Sequence, residues 1–302
     1  MLPGLDLNRL TQLLCYSLFA VSLAFIWRQA ALLCFGQALF FGIGAYLAAL
    51  TSKGMIPGLP ASAWLGVLLA VAGGALMAMV LGLALFIGRV VKGAFFGIIT
   101  LCAGVIAERI ATNWDAIGGF NGLLDVPPPP LWGSLDMLDP LAGYLVVLLI
   151  VGSLTALLGF LAASPWGSVL RSIGADETRA ATFGYPVARH KVAAFTLGGA
   201  VAGAAGGLFA GQFGFVAPSV LGFGLSTEVL IWVAIGGRQS LTAALVGAVL
   251  IKYLESFLSD ALGQYWLLAL GLILIFVVMY FPRGLLGNAL SNALPVRLRS
   301  VK

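Results

Sequence analysis

Apolar residues in this chain form long blocks, and the stretches between the blocks hold most of the proline and charged residues. A helix needs about 20 consecutive apolar residues to cross a bilayer. Nine blocks can be distinguished, at 10–27, 30–50, 61–87, 93–107, 140–161, 192–210, 227–237, 240–256 and 264–281. The blocks at 93–107 and 227–237 are short for a full crossing, so their helices are expected to be extended, tilted or broken. The pattern predicts an all-α integral membrane protein, a polytopic helical bundle of about 8–10 transmembrane segments.

Composition agrees with this prediction. Of the 302 residues, 61% are hydrophobic and only 9% are charged, whereas soluble domains carry about 25% charged residues. The net charge of +5 is better explained by basic residues that fix membrane orientation than by nucleic-acid binding, because no Lys/Arg-rich run occurs. We therefore expect a single transmembrane domain over residues 1–302, with membrane lipid rather than nucleic acid around it.

The distribution of basic residues predicts the orientation. With alternating crossings and a cytoplasmic C-terminus, 12 of the 16 Lys and Arg residues fall on the cytoplasmic side and three on the other, with Lys252 inside a block. The long loop 110–139 contains four Asp and no Lys or Arg, which is typical of an external loop. The positive-inside rule thus places the N-terminus outside and the C-terminus in the cytoplasm.

A charged island interrupts the apolar pattern at 163–191, on the predicted cytoplasmic side. Within 166–186 the apolar and small residues recur at intervals of three, four and seven, as on one face of a helix. Gly184 and Pro186 supply the helix stop, and Gly174 weakens the helix or splits it in two. The polar residues mix both signs, which favours a protein partner over lipid headgroups. An ordinary solvated loop is the alternative.

The sequence offers no catalytic or metal-ligand cluster, so we do not expect an enzyme. No GK dipeptide is present, and therefore the chain has no Walker A loop for ATP. Ionisable residues are scarce in the apolar blocks, although Lys252 and Glu255 are spaced to pair on one helix. This scarcity argues against a proton-driven carrier and favours a motor on another chain.

Two further patterns indicate packing and solute contacts. Four glycines recur every fourth residue on one helix face, where another backbone can approach closely: Gly199, Gly203, Gly207 and Gly211. Gln37 is a polar residue inside an apolar block, and Asn121 lies in the glycine-rich turn GGFNGL. A buried amide needs a partner across helices or a cavity. We therefore expect a substrate pathway that involves Gln37, Phe40, Phe41, Gly44 and Asn121.

Several of these stretches resemble permease subunits of ABC importers for branched-chain amino acids, with urea and short-chain amide importers as close relatives. The resemblance rests on GQALFFGIGAY, GGFNGL, the stretch 171–210, STEVLIWVAIGGRQSLTAALVGAVL and FPRGLLG, in that order. It covers residues 10 to 287. One departure is Gln239, where similar proteins often carry a glycine.

The resemblance implies a subunit of the bacterial inner membrane that moves branched-chain amino acids by ATP-driven alternating access. Its implied partners are a second homologous permease, two cytoplasmic ATPase subunits and a periplasmic substrate-binding protein. ATP and Mg would bind to the ATPase subunits, with no cofactor in this chain. The island 163–191 matches the ATPase-coupling loop, with Arg171, Glu177, Arg179, Ala180 and Gly184 as coupling residues. A urea or amide importer, or a secondary transporter or channel, remains an alternative.

Overall fold

The computed structural model describes residues 7–87, 93–131, 139–237 and 240–265, with isolated positions between 268 and 279. Within these ranges the chain forms ten α-helices and several short 3-10 helices. They are α1 (Leu7–Ala30), α2 (Gln37–Ser52), α3 (Ala63–Ile87), α4 (Ala94–Thr112), α5 (Pro140–Ala163), α6 (Pro165–Ala175), α7 (Glu177–Thr182), α8 (Val187–Phe213), α9 (Phe223–Gly236) and α10 (Leu241–Leu262). The β pairing described is one isolated bridge between Leu123 and Val216.

The predicted helical bundle is confirmed. Six described helices are long and apolar enough to cross a membrane, and α2 and α9 are shorter apolar helices. These eight helices correspond to eight of the nine predicted blocks, while the block 264–281 lies almost wholly outside the described residues. The Gln239 position and the C-terminal tail lie outside them as well.

Two block boundaries were wrong. The block 30–50 is not one helix, because residues 31–34 have no helical structure and α2 begins only at Gln37. With 16 residues, α2 is about 24 Å long and is shorter than the roughly 30 Å hydrocarbon core. The block 93–107 ended too early, because α4 continues to Thr112 and has 19 residues; of the alternatives for this short block, the extended helix is the one observed.

Helix α8 is at the centre of the bundle and packs against α1, α2 and α3. In the most apolar stretch of α8, 72% of the residues are buried inside this chain, against 22% in α3 and 28% in α5. Because α3 and α5 are the most apolar helices yet remain largely uncovered, their outer faces suit lipid or another membrane chain. Helix α8 therefore forms the centre of the bundle, and α3 and α5 lie at its periphery.

The predicted external loops meet at one end of the bundle. Lys53 Nζ donates a hydrogen bond to the Leu124 carbonyl at 2.7 Å, and Trp64 Nε1 donates to the Pro130 carbonyl at 2.7 Å. The bridge to Val216 adds the loop that follows α8. At the other end, α6 packs against α1 and α5. Loops predicted to share a side of the membrane thus lie together.

Candidate functional site

The charged island folds as two short helices rather than one, and the break is at Asp176. The Asp176 backbone is extended, and its Oδ1 accepts hydrogen bonds from the backbone N–H groups of Thr178 at 3.0 Å and Arg179 at 3.1 Å. An aspartate in this arrangement is a favoured helix N-cap. Gly174 does not split the helix. A Cβ added there would lie 3.3 Å from the Ala30 carbonyl carbon, so glycine lets α6 approach the end of α1.

Of the five predicted coupling residues, two connect the island to the rest of the bundle. Arg171 anchors α6, since its Nη1 donates to the Ala162 carbonyl at 2.7 Å and to Gln29 Oε1 at 3.3 Å. Glu177 forms an ion pair with Lys191 of α8.

The other three coupling residues differ in exposure. Ala180 is only 4% exposed, so a charged residue there would disturb packing rather than change a surface. The Arg179 side chain is 83% exposed and pairs with Asp176 at 3.1 Å. Gly184 is exposed and has a φ of +84°, which turns the chain after α7.

Sequence reasoning missed two aromatic residues beside this turn. Phe183 is 80% exposed and Tyr185 is 45% exposed. Both lie on the same end of the bundle as Arg171, beyond the apolar helices. Exposed aromatic side chains are enriched in protein interfaces and supply many of their strongest contacts. The sequence did contain a signal for them, because Phe183 and Tyr185 flank Gly184 in a loop that was predicted to bind a protein partner.

The predicted pathway residues of α2 lie inside the core of this chain. Gln37 is fully buried, and its Nε2 donates to Ser22 Oγ of α1 at 3.0 Å. The neighbouring Ala38 N–H donates to Ser226 Oγ of α9 at 3.1 Å. These contacts tie the start of α2 to two other helices. The Gln37 Oε1 atom has no hydrogen-bond partner among the described residues.

The remaining pathway residues are not gathered around one opening. Phe40 and Phe41 are fully buried, with ring centroids 5.2 Å from Phe195 and 4.7 Å from Phe19 respectively. Gly44 packs against the α8 backbone. Asn121 is exposed in a 3-10 helix at the opposite end from the charged island. A role for these residues in solute passage stays a prediction.

The α8 glycines lie in a very close junction of three helices. A Cβ on Gly44 of α2 would lie 2.6 Å from the Gly203 Cα, and one on Gly74 of α3 would lie 2.9 Å from the same atom. Gly199 and Gly207 also face α3, against Ala78 and Ala70 respectively. Gly211, the last of the series, is buried.

A charged cluster joins α9 and α10 within the apolar bundle. Lys252 Nζ lies 3.0 Å from Glu255 Oε1, as the spacing predicted, and also 3.3 Å from Glu228 Oε2. The ammonium further lies 5.0 Å from the Tyr16 ring centroid and 5.2 Å from that of Trp232, at cation–π distance. In the described ranges, no group of three or more His, Cys, Asp or Glu could hold a metal ion.

Comparison with known proteins agrees with this architecture. Residues 7–281 match the family described as "Branched-chain amino acid transport system / permease component". The high-affinity branched-chain amino acid transport system permease proteins LivM of Salmonella typhimurium and Escherichia coli are each 30% identical to the chain. The alignments cover 91% and 93% of this chain and 68% and 69% of those relatives, respectively.

A second kind of relative matches over a shorter region. The autoinducer 2 import system permease protein LsrC of Klebsiella pneumoniae is 30% identical over 173 residues, which is 52% of this chain and 48% of that protein. No solved structure matches significantly. The family match over residues 7–281 and the multi-pass bundle lead to one conclusion: the chain is a multi-pass membrane protein that belongs to the family of permease components of branched-chain amino acid transport systems.

Proposed function

We propose that this chain is the permease subunit of an ATP-driven ABC importer that moves branched-chain amino acids across the bacterial inner membrane by alternating access. The observation that carries the proposal is the exposed surface at the end of α7. There Phe183, Tyr185 and Arg179 project from a loop anchored to the bundle by Arg171 and by the Glu177–Lys191 ion pair. A loop that contacts the bundle through these side chains and also exposes aromatic residues is suited to transmit movement from a docked partner.

Three exposed regions of the chain would each contact a partner: the α6–α7 loop, the outer apolar faces of the bundle, and the end that carries Asn121. Two cytoplasmic ATPase subunits bind ATP and Mg and dock on the α6–α7 loop, while this chain itself holds no cofactor. A second permease subunit covers part of the uncovered apolar surface of α3, α4 or α5. A periplasmic binding protein delivers the solute at the end that carries Asn121. The C-terminus is in the cytoplasm, as the positive-inside rule predicts.

Branched-chain amino acids are the favoured solutes because both LivM relatives are named for them. Urea or a short-chain amide is the alternative within the same class, and the LsrC relative shows that a related permease is named for a different solute. A secondary transporter or channel is the alternative of another class. It would need neither ATP nor an exposed docking surface on α7.

Transport by the purified complex tests this proposal. The complex that copurifies with this chain is reconstituted into liposomes together with its binding protein, and uptake of labelled leucine, urea and a sugar is measured with and without ATP. We expect ATP-dependent leucine uptake. ATP-independent leucine uptake would assign the chain to another transporter class, and ATP-dependent uptake of urea alone would select the amide-importer alternative.

Removing the exposed aromatics should separate the ATPase from the permease. In the double variant Phe183→Ala/Tyr185→Ala we expect ATPase copurification and leucine uptake to fall by about tenfold or more, because aromatic anchors dominate interface energies. The expression and detergent stability of the chain should not change, since both side chains are exposed.

The matched control is Phe120→Ala, which removes a phenylalanine that is 82% exposed at the opposite end of the bundle. It should leave ATPase copurification intact. Equal copurification in the control and the double variant would show that the aromatics beside Gly184 do not dock the ATPase.

A further inference from the structure

A cavity of about 680 Å³ lies directly beside the α6–α7 loop. The non-helical segment 31–33, the first turns of α4, Gly174 and Glu177 of the loop, and Lys191 at the start of α8 line it. Most of the lining side chains are apolar, including Leu33, Phe35, Phe96 and Leu101. Among the described lining residues, only Glu177 and Lys191 are charged. The described part of the cavity wall thus combines apolar side chains with one charge of each sign.

The two charged residues of the cavity differ in burial. Lys191 is only 4% exposed, and its ammonium lies 5.5 Å from the Phe86 ring centroid and against the Glu177 carboxylate. Burying a charged lysine is costly unless a counter-charge is present, so the Glu177 carboxylate, or an anion that takes its place, stabilises the Lys191 ammonium. The Glu177 side chain is 37% exposed, and its carboxylate therefore remains accessible while it satisfies the lysine.

This arrangement is complementary to one chemical class of ligand. A zwitterionic amino acid presents a carboxylate to Lys191 and an ammonium to Glu177, and it preserves charge balance when it separates the pair. Its apolar side chain then contacts the walls formed by Phe35, Phe96 and Leu101. A simple anion would meet the repulsion of Glu177, a simple cation would meet that of Lys191, and an uncharged solute would have to replace an ion pair with weaker contacts.

We propose that this cavity is a binding site for a zwitterionic apolar amino acid on the cytoplasmic side of the pathway, with Lys191 holding the carboxylate and Glu177 the ammonium. The inference rests on the proposed function. Because Glu177 belongs to α7 and Lys191 to α8, movement of the α6–α7 loop changes the distance between the two binding charges. The same movement that the ATPase imposes therefore releases the solute.

Ligand binding to the purified complex, with the binding protein omitted, tests the site. Thermal stability in detergent is measured against increasing L-leucine, leucinamide, 4-methylpentanoate and urea. We expect stabilisation by leucine alone, since leucinamide lacks the carboxylate and 4-methylpentanoate lacks the ammonium. Stabilisation by both analogues to the same extent as leucine, or by none of the four compounds, would overturn the site.

Variants of the two charges and of one wall locate the binding. Glu177→Gln and Lys191→Met should each weaken the apparent affinity for leucine by about tenfold or more, whereas Arg189→Met, a cation two residues away on the same helix that does not line this cavity, should not. Leu101→Trp enlarges an apolar wall of the cavity and keeps both charged residues, and it should weaken leucine binding more than alanine binding. Unchanged leucine affinity in all three cavity variants would refute the assignment.

The charge exchange Glu177→Lys/Lys191→Glu distinguishes a binding site from an ion pair that only joins α7 to α8. The exchanged pair still joins α7 to α8 but presents its charges in the reverse order, so we expect leucine affinity to stay at least about tenfold below wild type. Recovery of wild-type affinity would show that the pair only holds the loop. ATP-dependent leucine uptake by the wild-type complex, measured separately, keeps a failure of this site distinct from a failure of the proposed function.

Discussion

Replacing Gly203 by leucine should prevent the bundle from packing correctly. Cβ atoms on Gly44 and Gly74 would already lie within 3 Å of the Gly203 Cα, so α2, α3 and α8 meet there at backbone distance. A leucine side chain can fit only if α8 moves away from both neighbours, and the surrounding core of α8 is buried as well. We expect a loss of about 3 kcal/mol or more in stability, with little monodisperse protein recovered in detergent.

The matched control for this variant is Gly152→Leu on α5. Gly152 is also a helical glycine of a membrane span, but it is exposed and a Cβ there would meet no atom within 4 Å. Its replacement should leave yield and thermal stability close to wild type. Gly203→Ala should be intermediate, because one methyl group demands a smaller separation. If Gly203→Leu were as stable as Gly152→Leu, the close junction of the three helices would be wrong.

The sequence predicted the positions of the eight described apolar helices well because length and hydropathy are local properties. It could not predict where α2 begins. The stretch before Gln37 is as apolar as the helix itself, so hydropathy gives no boundary there. The boundary depends on tertiary contacts, such as the hydrogen bond from the Ala38 N–H to Ser226 Oγ, which is distant in sequence.

The charged island shows the same division between local and distant information. Its helical stripe and its stop at Gly184 followed from spacing, and Leu170 and Ile173 on that stripe are fully buried. The stripe also includes Ala180, which is 4% exposed, but the sequence could not tell that Phe183 points outward, because this depends on how α7 packs against α8. Burial of Ala180 and exposure of Phe183 reverse what hydrophobicity alone would suggest.

The polar residues of the membrane segments were the hardest to interpret. Gln37 was correctly expected to need a partner, and Ser22 provides one at 3.0 Å. Nothing local, however, identifies which helix supplies that serine. Likewise the spacing of Lys252 and Glu255 on one helix predicted their pairing, whereas the contact with Glu228 required knowledge of how α9 lies against α10.

That cluster leads to the second large expected effect, in the variant Lys252→Met. Lys252 is the one cation within contact of both Glu228 and Glu255 among the described ion pairs, and the three side chains are 21%, 24% and 9% exposed. Removing the lysine leaves two carboxylates close together in an apolar bundle without a counter-charge. Losing one partner of a largely buried pair costs about 3 kcal/mol or more, so we expect a marked fall in thermal stability in detergent.

The control and rescue variants separate charge from side-chain loss. Lys53→Met removes an exposed lysine at the end of α2 together with its hydrogen bond to the Leu124 carbonyl, and it should cost only about 1 kcal/mol. Glu255→Gln leaves Lys252 paired with Glu228 and should be milder than Lys252→Met. Adding Glu228→Gln and Glu255→Gln to Lys252→Met removes every charge from the cluster, and we expect it to recover most of the lost stability because the uncompensated carboxylates cause the defect. If Lys252→Met were no more harmful than Lys53→Met, or if neutralising both carboxylates brought no recovery, the cluster would not depend on charge compensation.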